Sequence, residues 1–155
     1  MKLVKTLLVS FSALSLLLGL TACGKNENIS GTLEEIMEKV YADIPENERP
    51  MMLMNTELTD ENVEYYLGTT DIKYEEAMAS ESGVGSIAHS VVLVRVSDDA
   101  NVEEVKSKIK ENVDPRKWIC VEAETVKVES KGNLIILIMS SNDNAEKIEK
   151  SFKNL

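Results

Sequence analysis

One histidine, two cysteines and 27 acids are the residues of this 155-residue chain that could do acid–base, nucleophilic or metal chemistry. His89 has a side chain that titrates near neutrality, as a general base requires. Its neighbour Ser90 points to the opposite face of a strand, so the two do not make a local nucleophile–base pair. The simpler role is a hydrogen-bonded histidine at the start of a buried strand. Cys120 would be a nucleophile only in an electropositive, partly exposed setting beside His89. Ile119 and Val121 flank it, and a buried, inert thiol is the expectation. The acids recur as Glu34-Glu35 with Glu38, Asp60-Glu61 with Glu64, Glu75-Glu76 and Asp98-Asp99. None follows the spacing of a calcium loop. Asn142-Asp143-Asn144 comes nearest, lacks the glycine and reads better as a helix cap. One histidine and one spare cysteine are too few for zinc. The expectation is no catalytic residue, no metal and no cofactor.

Three further stretches invite a binding role. Ser82-Gly83-Val84-Gly85-Ser86 is glycine-rich, but lacks the Lys-Ser/Thr and the following helix of a phosphate loop. It reads as a connector or recognition loop. Arg116-Lys117-Trp118 sets two cations beside an aromatic, the residue types enriched in interface hot spots. Trp118 could equally fill the core edge, with Arg116 and Lys117 solvated. These three are the candidate partner-binding residues. Cys23 is the third case. Lys2 and Lys5 form a charged start, Leu7 to Leu18 an apolar core broken only by serines, and Leu20-Thr21-Ala22-Cys23 follows. That order is a secretory signal, with an apolar core too short to span a bilayer.

Leu20-Thr21-Ala22-Cys23 resembles the lipobox of bacterial lipoproteins. The resemblance implies that the Cys23 thiol is diacylglycerated and that the chain is cut before it. Residues 1–22 are then a signal peptide, 23–31 a lipidated cysteine and polar tether, and 32–155 one domain. Residues 23–155 carry a net charge of −12, because the signal removes two lysines from a chain of net charge −10. Nucleic acid is disfavoured as a partner, and lipid must hold the protein at the membrane. Two or more acyl chains anchor stably. Location at the cell membrane on the extracytoplasmic side follows. With Cys23 acylated, Cys120 has no disulfide partner within the chain.

The elements that must position these residues follow from periodicity. Leu33, Ile36, Met37, Val40, Tyr41 and Ile44 share one helical face behind a Thr32/Glu35 capping box, and Pro45 stops the run. Met51–Asn55 reads as a short strand. Thr59 suits an N-cap for a short helix with Leu58 and Val63 as its staple, closed by Gly68. Ile72–Ser80 reads as a third short helix. From there the spacing predicts β-α-β-β-α: a strand over Ile87–Val96, a helix capped by Asn101 and ended by Asp114-Pro115, a strand over Trp118–Ser130, a turn at Lys131-Gly132-Asn133, and an apolar strand over Leu134–Met139. An Asp143/Glu146 capping box opens the last helix. The expected fold is α+β: a β-α-β-β-α core with a mixed sheet of three to four strands, helices packed on it, preceded by a helical N-terminal segment. Its first and third strands pair in parallel, the Trp118–Ser130 strand lies at the edge, the second-half helices cover one side and the helices of residues 32–80 the other.

Tyr65-Tyr66-Leu67-Gly68, Ala88-His89-Ser90 leading into Val91–Val96, and Lys117-Trp118-Ile119-Cys120-Val121 together resemble an uncharacterised family of small bacterial lipoproteins, known as a domain of unknown function. The resemblance implies a lipoprotein with a single domain and carries no catalytic residue. The expected function is a non-enzymatic, lipid-anchored domain that binds a protein partner at the cell envelope. The alternative is a small ligand-binding or sensing lipoprotein, an accessory to a transporter.

Overall fold

The structure, a computed structural model, describes residues 28–155. Cys23 and the signal-like segment lie outside the described residues.

Five strands form one antiparallel sheet in the order β1-β2-β3-β5-β4. These are β1 (Leu53–Glu57), β2 (Glu76–Ser82), β3 (Ser90–Arg95), β4 (Thr125–Lys131) and β5 (Leu134–Ser140). The helices are α1 (Leu33–Val40), α2 (Val63–Leu67), α3 (Val102–Asn112) and α4 (Asn142–Lys153). The fold is α+β, and β3-α3-β4-β5-α4 is the expected β-α-β-β-α run. The sheet is wider than the three to four strands expected and is not mixed.

The parallel pairing of the first and third strands of that run is corrected. β3 lies beside β5 antiparallel, Leu93 opposite Ile136. The α3 crossover returns the chain in the direction of β3, and the Gly132 turn (φ 59°) then reverses it. β3 and β4 therefore run the same way with β5 inserted between them. β5 is flanked by the two strands that the sequence assigns to it, and β4 is an edge.

The third short helix is also corrected. Residues 76–82 are β2, paired with β1 on one side and β3 on the other. Glu, Ala and Met are good helix formers, but two flanking strands override that preference. Ala77 and Ala79 are buried where α2 and α3 press on the sheet, a place that wants small side chains.

Both faces of the sheet are covered, with a different division of helices from the one expected. Leu33, Ile36, Met37 and Val40 of α1 and Ala145, Ile148 and Phe152 of α4 pack together on Val91, Leu93, Leu134, Ile136 and Ile138. On the other face, Val63 and Leu67 of α2 and Val105 and Ile109 of α3 pack on Val92, Val94, Ile135, Leu137 and Met139. Each layer takes one helix from each half of the chain. β5 is apolar at six consecutive positions because it is buried on both sides.

Local signals hold with shifts at the ends. Thr32 and Glu35 form a capping box, Asn101 caps α3, and Gly68 closes α2 at φ 72°. The Asp143/Glu146 box does not form. Ser141 is the N-cap of α4, and Asp143 pairs with Lys147 one turn on. Thr59 does not cap α2 directly: Asn62 precedes the helix, and its side-chain oxygen accepts from the Thr59 amide. β4 starts at Thr125, seven residues later than the expected start, because residues 118–124 form an irregular loop with Cys120 at φ 62°.

Arg95, at the end of β3, fixes where the chain enters the domain. Its guanidinium donates to the carbonyls of Ile29 and Gly31 and to Glu76. Ile29 packs on the α1/α4 layer, and the Asn28 amide donates to Asp98 at 2.7 Å. The last residues of the expected tether are thus docked on the domain.

Candidate functional site

The end of the sheet opposite Arg95 gathers the polar and aromatic side chains most able to recognise something. β2 ends there at Ser82, β3 starts at Ser90, and the loop after α3 crosses them. That loop is pinned by its backbone. The Arg116 amide donates to Asp114 Oδ1 at 2.8 Å, and the Ala123 amide to the Pro115 carbonyl at 2.9 Å. Pinning turns the Lys117 side chain inward, where it is 5% exposed.

The Lys117 ammonium forms an ion pair with Glu81, itself 14% exposed, and donates to Ser90 Oγ at 3.4 Å. Three rings surround it: Nζ lies 4.3 Å from the centre of Tyr65, 4.6 Å from Tyr66 and 5.2 Å from Trp118. All three are within cation–π range. The Tyr65 hydroxyl donates to Glu81 Oε1 at 2.8 Å, so the carboxylate is shared by phenol and ammonium. Burial pulls the Lys117 amine below its ordinary value, and the hydrogen bond and charge of Glu81 and the charge of Asp114 act against it. Burial, then the hydrogen bond to Glu81 and its charge, push the Tyr65 hydroxyl well above the usual tyrosine range. At neutral pH Tyr65 is therefore a donor.

A cavity of about 390 Å³ opens beside this cluster, lined by Met54, Thr56, Tyr65, Gly83, Lys117 and Ile119 among others. Its rim is apolar. Met51, Met52, Met54, Tyr65 and Ile119 are the large hydrophobic side chains exposed among the described residues, Ile119 at 76%. Gly83 lies against two of them: a Cβ there would stand 3.1 Å from the Met54 methyl and 3.7 Å from Met52 Cβ.

The expected trio divides. Arg116 is 74% exposed and pairs with Glu122, Lys117 is enclosed, and Trp118 is buried with its indole N–H free of any partner among the described residues. Tyr65, Tyr66, Glu81 and the methionines belong to the site without having been singled out for it. Tyr65-Tyr66 stands in the sequence within one of the stretches that carry the family resemblance, with no binding role attached to it. Glu81 could not be found without knowing that residues 76–82 are a strand.

His89 and Cys120 do not meet. His89 is buried just before β3, with Nε2 2.7 Å from the Tyr41 hydroxyl and Nδ1 2.7 Å from Ser140 Oγ. Burial lowers it from 6.5 to about 4, so it is neutral at neutral pH. Burial raises Tyr41, with a Ser80 hydrogen bond and the Arg49 charge pulling the other way. Both imidazole nitrogens are thus engaged inside the α1/α4 layer. Cys120 is exposed, contrary to the buried thiol expected, because its left-handed backbone turns it out of the loop.

A second, wider groove of about 800 Å³ lies at the Arg95 end, between Asn28–Ser30, Lys39, Lys131 and Leu155. No helix among the described residues is long and apolar enough to cross a membrane. Comparison of the chain with family models, with curated proteins and with solved structures finds no match.

Proposed function

We propose that the chain is a lipid-anchored extracytoplasmic domain that binds a protein partner at the cell envelope through the Met54–Tyr65–Ile119 end of its sheet. One observation carries this reading: the exposed apolar rim lies at the opposite end of β2 and β3 from the point where Arg95 holds Ile29 and Gly31. With Cys23 acylated, the five residue steps from Cys23 to Asn28 reach roughly 17 Å at full extension. The Arg95 end then sits near the bilayer, and the apolar rim faces away from it. Apolar side chains gathered on one surface favour a protein partner over solvent. No side-chain chemistry is required. Arg116 stands at the border of this surface, whereas Lys117 and Trp118 support it from beneath.

The test has two arms. Cys23→Ala should block normal processing and release the protein from the membrane fraction. A photo-cross-linking residue at Ile119 should capture a defined envelope protein in intact cells, and one at Glu34, near the tether, should not. A Cys23→Ala protein that is processed at the same bond and stays membrane-bound sinks the anchor. Equal capture from Glu34 and Ile119 sinks the orientation.

The cavity beside Lys117 favours a second reading, a small ligand-binding or sensing lipoprotein, since about 390 Å³ lies in the range of small-molecule sites. Against it, the chain's own ammonium already occupies the aromatic surround. A small metabolite that shifts the melting temperature, with no protein captured from Ile119, would decide for this alternative.

A further inference from the structure

We infer that the open edge of β1 is a strand-addition site, and that its occupant is an extended protein segment with apolar side chains at one end and Lys or Arg at the other. The inference deepens the partner-binding reading and rests on it.

β1 has a neighbour on one side only. In an antiparallel pair, residues that bond across alternate with residues whose N–H and C=O point away. The Gly83 amide donates to the Met52 carbonyl and the Leu58 amide to the Ala77 carbonyl, so the even-numbered residues of β1 bond to β2. Leu53, Asn55 and Glu57 therefore direct their backbone groups outward. The Glu57 carbonyl accepts from the Asn62 side chain at 3.1 Å. Both groups of Leu53 and Asn55 have no partner among the described residues, which leaves two consecutive docking points for a strand.

The opposite edge shows what protection looks like. On β4, Lys127 pairs with Glu149 of α4, and Lys131 donates to the carbonyls of Lys153 and Leu155. Charged side chains tied to a covering helix make a poor template for another strand. β1 has no lysine, no proline and no such cover.

The chemistry beside the edge changes along it. Met51, Met52 and Met54 stand exposed at its start, and Met54 and Thr56 line the cavity beneath. Methionine adapts its shape and suits apolar partners of varied form. At its other end, Glu57, Asp60 and Glu61 are exposed and form no ion pair among the described residues. An added strand thus meets an apolar surface at one end and three uncompensated carboxylates at the other. Charge complementarity assigns the basic residues to the second end. A second copy of this chain fits poorly: its own β1 brings acids and no cation, and residues 23–155 are strongly acidic overall.

The experiment selects a random dodecapeptide library against the full chain, purified in detergent and immobilised. The expected consensus has alternating apolar residues at one end and two or more Lys or Arg at the other. A selected peptide should slow amide exchange at Leu53 and Asn55. Asn55→Pro, which removes an outward N–H at an edge where proline is tolerated, should weaken binding at least tenfold. Glu57→Lys with Glu61→Lys, both on exposed side chains, should reverse the charge preference. Absence of enrichment, a consensus indifferent to charge, full binding to Asn55→Pro, unchanged exchange at Leu53 and Asn55, or dimerisation of the chain through β1 would each overturn the inference. Capture from Ile119 in cells separates the two readings: a partner captured there without β1 pairing leaves the binding function standing and removes only strand addition.

Discussion

Lys117 and Glu81 meet as a nearly buried ion pair across two segments that are far apart in the chain, one in the loop after α3 and the other at the end of β2. The pair sits under three aromatic rings and fixes the floor of the apolar rim. Taking two charges out of water is costly, and their mutual attraction repays it only while both remain.

Glu81→Gln should therefore destabilise the domain by about 3–5 kcal/mol, because it leaves an unpaired buried ammonium. Lys117→Met with Glu81→Leu should restore most of that loss, since an apolar pair of similar size is often neutral. Urea denaturation of the three proteins checks this. A single variant as stable as the parent would mean that water reaches the ammonium.

His89 supplies a pH dependence whose direction is set by burial. Its imidazole is held at about 4 in the fold against 6.5 when free. Between those values the unfolded chain binds the extra proton, so stability rises with pH from about 4 to 6.5 and is lost as pH falls through that window. The full contribution is about 3 kcal/mol, present above 6.5. The imidazole nitrogens meet Tyr41 and Ser140, Ser80 and Arg49 act on Tyr41 behind them, and none is a carboxylate that would hold the charged form. His89→Gln should flatten this window in a series of urea midpoints from pH 4 to 7. A parent and variant with parallel profiles would refute the assignment.

Where the sequence was legible, the signal was local. The α1 face, the Thr32/Glu35 box, Asn101 and Gly68 are each read within one turn of chain, and β5 is recognisable because burial on both faces leaves it apolar throughout. β2 was hidden because Glu76-Ala77-Met78-Ala79 has helical propensity and becomes a strand only through partners on both sides. Strand direction was hidden because it depends on which connections cross the sheet, a property of the whole β3–β5 segment. The site was half visible for the same reason. Lys117 and Trp118 stand out by type, but Glu81, Tyr65 and Met54 join them only in three dimensions.

Gly68 is held at φ 72°, and a Cβ there would stand 2.1 Å from the Asn112 carbonyl oxygen at the end of α3. Both the left-handed backbone and the close approach need glycine. Gly68→Ala should cost about 2 kcal/mol or more, since α2 must move away from α3. Because α2 carries Tyr65 and Tyr66, the same change should disturb the aromatic surround of Lys117. A melting curve, together with near-ultraviolet circular dichroism of the tyrosines, reads both effects. An alanine variant unchanged in both would show that the two helices are free to separate.

Arg95 holds the entry of the chain by one planar group shared among the Ile29 and Gly31 carbonyls and Glu76. A guanidinium can point separate N–H bonds at three acceptors from a fixed plane, and a lysine ammonium on a flexible stem cannot keep all three. Arg95→Lys should therefore free Ile29–Gly31 without unfolding the sheet, because β3 keeps its ladders to β2 and β5. Backbone order parameters from NMR relaxation at Ile29–Gly31 should fall while the amides of Val91–Val94 stay protected from exchange. On the membrane, the longer free tether should weaken the preference for cross-linking from Ile119 over Glu34. If the order parameters at Ile29–Gly31 are unchanged, Ile29 packing alone holds the entry, and the orientation of the domain does not depend on Arg95.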